Sequence, residues 1–293
     1  MMASLIILLI LIYAQIGIAS AENNNQEINT EQKGTIMSLR KYDSTKTRVT
    51  PIFNKISKTD KFWLRRLLKL PKHGSLAVNL TEDDDLTVED AYWGEYEKPL
   101  NPPVSLLIWL TNNPPDKLSK LDNCVPNTTN WMRYHLWLKD SEVLAEATKQ
   151  LQMNIFHTGW YVFEGKTRPD VLIYTPRAII VIEGKRTEAG PTKSTTWMSI
   201  RHQMLRHIDA AWEIRGKRKV FGFFIVEGES GTDIPIKWKE AALNTVSPKV
   251  ISGSLPHRSI DEQRDIVNSF LGITTWQAIC SEFKLDCKFS QPE

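Results

Sequence analysis

The stretch RPDVLIYTPRAIIVIEGKR, Arg168 to Arg186, sets two acids and a lysine on two apolar runs. Asp170 to Thr175 and Ala178 to Glu183 are rich in Val and Ile. They are separated by Thr175-Pro176-Arg177, a hairpin signal with proline suited to the first central turn position. Pairing Thr175 with Ala178, or Tyr174 with Ile179 across a four-residue connection, puts Asp170 directly opposite Glu183; a three-residue loop shifts the pairing by one. Directly opposed side chains share a face, with Cβ atoms about 4.5–5.5 Å apart, and Lys185 joins that face because the strand period is two. Two carboxylates at that distance repel each other and are costly beside an apolar sheet unless a cation lies between them. Mg²⁺ meets that need, taking one or two carboxylates plus waters and phosphate oxygens, with Mn²⁺ as an alternative. Such an ion activates a water and neutralises charge developing on a phosphodiester, while Lys185 stabilises the transition state or takes part in proton transfer.

The surrounding elements must hold this hairpin in place. Trp131 to Leu151 has apolar residues near helical spacing and no Gly or Pro, which predicts an amphipathic helix. A strand is expected at Asn154 to Phe163, followed by the two hairpin strands. A Gly/Pro/Ser/Thr loop, Thr187 to Thr195, then leads to a second helix, Thr196 to Arg215, with Gly216 placed to stop it. Lys219 to Val226 reads as a short apolar strand. The order is helix, three strands, helix, strand.

Pro169-Asp170, a hydrophobic strand, then Glu183-Gly184-Lys185 resembles the PD-(D/E)XK nuclease superfamily, and the element order is similar to its αβββαβ core. The resemblance covers about residues 131 to 228 and implies an α/β fold with a mixed four-stranded sheet flanked by helices. It implies that Asp170 and Glu183 ligate the metal, that the Gly184 carbonyl helps, and that Lys185 is the catalytic lysine. Many members carry a further Glu on the first helix. Glu142 and Glu146 are one turn apart here, and Glu146 is the better candidate. Some branches place a Gln on the second helix with an aromatic residue four positions later; this chain has Gln203 and then His207. Arg206 on the same helix is a candidate phosphate contact, whereas His202 and His207 read as helix-surface histidines.

The flanks are less informative. Residues 1–36 form a leader, 37–129 an N-terminal extension without a motif, 130–230 the nuclease-like core, and 231–293 a C-terminal helical extension with pieces near Ile260 to Leu271 and Thr274 to Phe283. Ser4 to Ala19 followed by Ala19-Ser20-Ala21 reads as a signal peptide, yet no Lys or Arg precedes it. Translation starting at Met37, with MSLRKYDSTKTRV as a basic cytosolic N-terminus, is the preferred alternative and implies a cytoplasmic protein; a true signal peptide implies export. The 293 residues, 41% hydrophobic with ten Trp, exclude a disordered chain. The net charge of +3 is compatible with a polyanionic partner and does not demand one. Three cysteines, Cys124, Cys280 and Cys287, match no zinc spacing and read as reduced structural thiols.

These readings lead to a Mg²⁺-dependent nuclease that hydrolyses DNA through a metal-activated water, with RNA left open as a substrate. Two copies would suit paired cuts in duplex DNA, although no dimer signature is visible, and no stable membrane association is expected. The competing reading is a non-catalytic nucleic-acid-binding module, against which the retained acids and lysine argue. A secreted interaction protein has only the apolar N-terminus in its favour.

Overall fold

A computed structural model describes residues 44–74, 85–115, 129–153 and 163–287. The leader, the expected strand from Asn154 (all but Phe163) and Cys124 lie outside the described residues. A π-helical turn, Thr45–Val49, runs into α1, Thr50–Ile56, followed by α2, Trp63–Leu68. Next come β1, Lys72–His73, and β2, Asp90–Trp93, then three helices: α3, Val104–Asn112; α4, Thr129–Trp137; and α5, Ser141–Gln152. The hairpin follows as β3, Val171–Tyr174, and β4, Ala178–Gly184, and then α6, Gln203–Glu213, and β5, Lys219–Val226. The chain continues through α7, Ile236–Thr245, α8, Pro248–Ser254, and α9, Ile260–Asn268, and ends in β6, Phe270–Thr275, and α10, Trp276–Glu282.

The fold is α/β, and the described residues form one mixed sheet of six strands in the order β1-β6-β5-β4-β3-β2 with helices on both faces. The expected four-stranded sheet is therefore too small. β2, from the supposed N-terminal extension, pairs antiparallel with β3, and β6, from the supposed helical C-terminus, pairs parallel with β5. β4, an Ala-Ile-Ile-Val-Ile-Glu-Gly run buried at every position, lies between antiparallel β3 and parallel β5. Its β-branched residues pack on both faces, as a central strand requires.

Alternation along the hairpin divides the core. Val171, Ile173, Ile180 and Ile182 face the N-terminal helices and α10, where they meet Phe53, Leu67 and Trp276. Leu172, Ile179 and Val181 face α6 and α7, packing with Met204, Ile208 and Trp238. A third cluster, including Leu107, Leu136, Ala147 and Phe163, joins α3, α4 and α5.

Three element boundaries differ from expectation. The helix read over Trp131 to Leu151 is broken, because Lys139 takes φ 60° and the Asp140 carboxylate caps α5 by accepting from Glu142 N at 3.0 Å and Val143 N at 3.2 Å. α6 starts at Gln203 rather than Thr196: Arg201 N and Gln203 N donate to the Lys193 and Thr192 carbonyls, which takes these donors out of a longer helix. β6 fills the gap between the two pieces read as helix, taking in the end of one and the start of the other. Its Gly272, at φ 99°, admits β1 so closely that a Cβ would sit 2.0 Å from the Lys72 oxygen. The thiol reading is also corrected, since Cys280 and Cys287 form a disulfide. Lys284, at φ 52°, and the Leu285 N–H to Cys280 O bond of 2.8 Å turn the chain back after α10 and bring the two sulfurs together.

Candidate active site

The hairpin register is the one that opposes the two acids. Val171 pairs with Ile182 and Tyr174 with Ile179, and Thr175 N donates to Ala178 O at 2.9 Å across the two-residue turn. The Thr175 hydroxyl accepts from Ala178 N at 2.8 Å, which fixes that turn locally. One step beyond the end of β3, the same register sets Asp170 opposite Glu183. Its Oδ2 accepts the Gly184 N–H at 2.7 Å. Gly184, expected as a carbonyl ligand, thus contributes its N–H to the site.

Glu183 is buried, and each of its oxygens has a neighbour. Oε1 accepts from Gln203 Nε2 at 2.7 Å and lies 3.0 Å from Lys185 Nζ. Oε2 lies 3.0 Å from His207 Nε2, but neither atom meets hydrogen-bond geometry. The one-turn spacing of Gln203 and His207 on α6 therefore delivers both to the same carboxylate. His207 is buried, as is His202, which corrects the surface reading of both; His207 Nδ1 lies 2.8 Å from the Thr167 hydroxyl.

The electrostatics of the two acids diverge. Burial, and then the charge of Glu183, push Asp170 up to about 8 against the opposing Gly184 N–H and Lys185. Burial also pushes Glu183 upward, but His207 and Lys185 outweigh it and hold its carboxyl below the ordinary range. Burial lowers Lys185, yet Glu183 and Glu188 more than compensate, so its ammonium is favoured. At neutral pH the hairpin thus holds an ionised Glu183, an ammonium, and a proton on Asp170.

The additional carboxylate that acts on Asp170 lies outside α5. Glu142 and Glu146 are exposed on α5, where Glu146 accepts from Gln150 of its own helix, and α5 packs against α3 in the third cluster. The further carboxylate beside Asp170 is Glu97, whose charge adds to the upward push on Asp170. Thr45 of the π-helical turn lies between them, its Oγ1 3.3 Å from both Glu97 Oε1 and Asp170 Oδ1. Neither Thr45 nor Glu97 belongs to a motif, so sequence reasoning missed both. Arg206 donates to the Gly165 and Lys166 carbonyls at 2.8 and 3.2 Å, where it braces the loop before Asp170.

Among the described residues no group of three or more His, Cys, Asp and Glu side chains is set to hold a metal ion. The donors present nonetheless suit Mg²⁺: two hard carboxylates, one of them kept protonated by burial and by the charge of its neighbour, and a buried Glu183 Oε2 without a hydrogen bond. Comparisons with models of protein families, with curated proteins and with solved structures found no match. No helix among the described residues is long and apolar enough to cross a membrane.

Proposed function

We propose that this chain is a metal-dependent nuclease of the PD-(D/E)XK type that hydrolyses phosphodiester bonds of DNA. The observation that carries the reading is the convergence of Asp170, Glu183 and Lys185 on one face of the hairpin, with Asp170 pushed up to about 8. An acid raised first by burial and then by an anionic neighbour is a site where a divalent cation can replace the proton. Asp170 and Glu183 would hold Mg²⁺, which would lower the pKa of a bound water and offset phosphate charge.

The chain's own residues do the positioning. Gly184 N–H orients Asp170, and Gln203 fixes the Glu183 carboxylate from α6, with His207 beside its other oxygen. Lys185, kept as an ammonium by Glu183 and Glu188, presents a fixed positive charge to the phosphate as negative charge grows on its oxygens. The Trp276 indole donates to the Lys185 carbonyl at 3.1 Å, which pins the strand end that carries the lysine.

The test is incubation of the purified protein with plasmid, linear duplex and single-stranded DNA, and RNA, in Mg²⁺, Mn²⁺ or EDTA. Cleavage of DNA that requires the metal, and that Asp170→Ala, Glu183→Ala and Lys185→Ala each abolish in folded protein, is the expected result. Binding without cleavage under every condition would instead favour a non-catalytic nucleic-acid-binding module.

A further inference from the structure

One cavity adjoins the Glu183 side of the sheet and a second neighbours it. The smaller, of about 280 Å³, is walled by Gln203 and His207, the two residues that reach Glu183, and by Lys166, Arg168 and Arg206. The larger, of about 820 Å³, is lined by Trp109, Trp197, Met198 and Lys249 among others. Ser194 and Thr195 line both, so the two are neighbours.

Their chemistry is one-sided. Neither lining contains an Asp or Glu, although the carboxylates of the hairpin lie next door. Lys166 and Arg168 are exposed and have no acidic partner among the described residues. An acid-free cleft with uncompensated cations, leading from a phosphodiesterase-like site, suits a phosphate backbone. The larger cavity is different in kind, because its half-buried indoles offer π-faces for stacking. Its volume lies in the range that accepts whole small ligands. A nucleobase can enter such a cavity only after leaving its duplex stack.

We infer that the two cavities form one track for single-stranded DNA, with phosphates in the basic cleft and an unpaired base between Trp109 and Trp197. The inference rests on the nuclease reading and narrows its substrate to DNA with an unpaired nucleotide beside the cut.

The test separates the two claims. Binding is followed by fluorescence anisotropy in EDTA, using a labelled single-stranded oligonucleotide and the same sequence as a blunt duplex; cleavage of both is followed in Mg²⁺. Trp197 packs edge-on against Phe163 at 5.4 Å and lies under Arg133, so its removal also weakens the fold. The diagnostic variant is therefore Ser252→Trp, which plugs the larger cavity from an exposed position whose hydroxyl bonds only the Lys249 carbonyl of its own helix.

The single strand is expected to bind at least about tenfold tighter than the duplex, and Ser252→Trp to remove most of that preference, because one base–aromatic stack is worth about that much. Arg168→Glu should weaken both substrates. Metal-dependent cleavage with equal affinity for the two substrates, or a preference that Ser252→Trp leaves intact, overturns the track while the nuclease reading stands. Single-strand preference that Ser252→Trp removes, without cleavage in any metal, supports the track and overturns the nuclease reading. No binding and no cleavage overturns both.

Discussion

Asp170→Asn should make the metal-free protein more stable, and increasingly so as pH rises. Asn keeps an oxygen to accept the 2.7 Å bond from Gly184 N–H but cannot ionise. In the native chain the Asp170 carboxyl is raised from 3.8 to about 8, so between these values the folded protein holds a proton that the unfolded chain has lost. The unfolded state then binds fewer protons, and stability falls as pH rises through that window, flattening above about 8. The limiting slope is about 1.4 kcal/mol per pH unit. Partial relaxation around Thr45 and Glu97 brings the gain of the variant between pH 5 and pH 7 to about 1–3 kcal/mol, or roughly 3–10 °C in Tm for a unit of this size. Thermal melts of both proteins across pH 5 to 9 in EDTA measure it, and repetition in Mg²⁺ asks whether the cation stabilises only the native protein. A Tm difference that does not change with pH, or equal stabilisation of both by Mg²⁺, would refute the argument that the buried acid is held for a cation.

Lys185→Met keeps the aliphatic stem but removes the ammonium 3.0 Å from Glu183, and should lower kcat by about 10²-fold or more with little change in KM, measured by steady-state cleavage. Arg201→Met strips the cation from a fully buried cluster in which its guanidinium lies 2.8 Å from Glu164 and 2.9 Å from Asp209, and should cost about 3–5 kcal/mol in denaturant unfolding. Gly184→Ala would place a Cβ 2.7 Å from the Trp276 ring and 3.0 Å from Val49, on the sheet face opposite the acids; overpacking of about 1–3 kcal/mol should appear as a lower denaturation midpoint. If the cations of the small cleft meet phosphates, Lys166→Ala should reduce the salt dependence of DNA binding by about one counterion.

The hairpin was legible because its signals are local. A Thr-Pro-Arg turn between two Val/Ile runs fixes a register, and a register fixes which side chains oppose each other. β5 was legible for a similar reason, its apolar run matching Lys219–Val226. β6 was hidden because Phe270–Thr275 is buried at every position and contains Gly272, leaving neither strand alternation nor a clean turn signal. β2 begins with an exposed Asp90 and owes its place to pairing with β3, a non-local event. Within the site, Gln203 followed the helical spacing, and His207 came with it. Glu97 and Thr45 reach Asp170 only through the closing of the fold, and no spacing in the sequence encodes that approach.

The closing of the sheet from both ends of the chain bears on synthesis. Asp170 and Glu183 are made before β6 and α10, which cover β5 and pin the Lys185 carbonyl and come from the last stretch of the described chain. A nascent or truncated polypeptide therefore carries the acids without the sheet neighbour and indole that complete their setting. Whatever chemistry the site performs should therefore wait until β6 and α10 are in place.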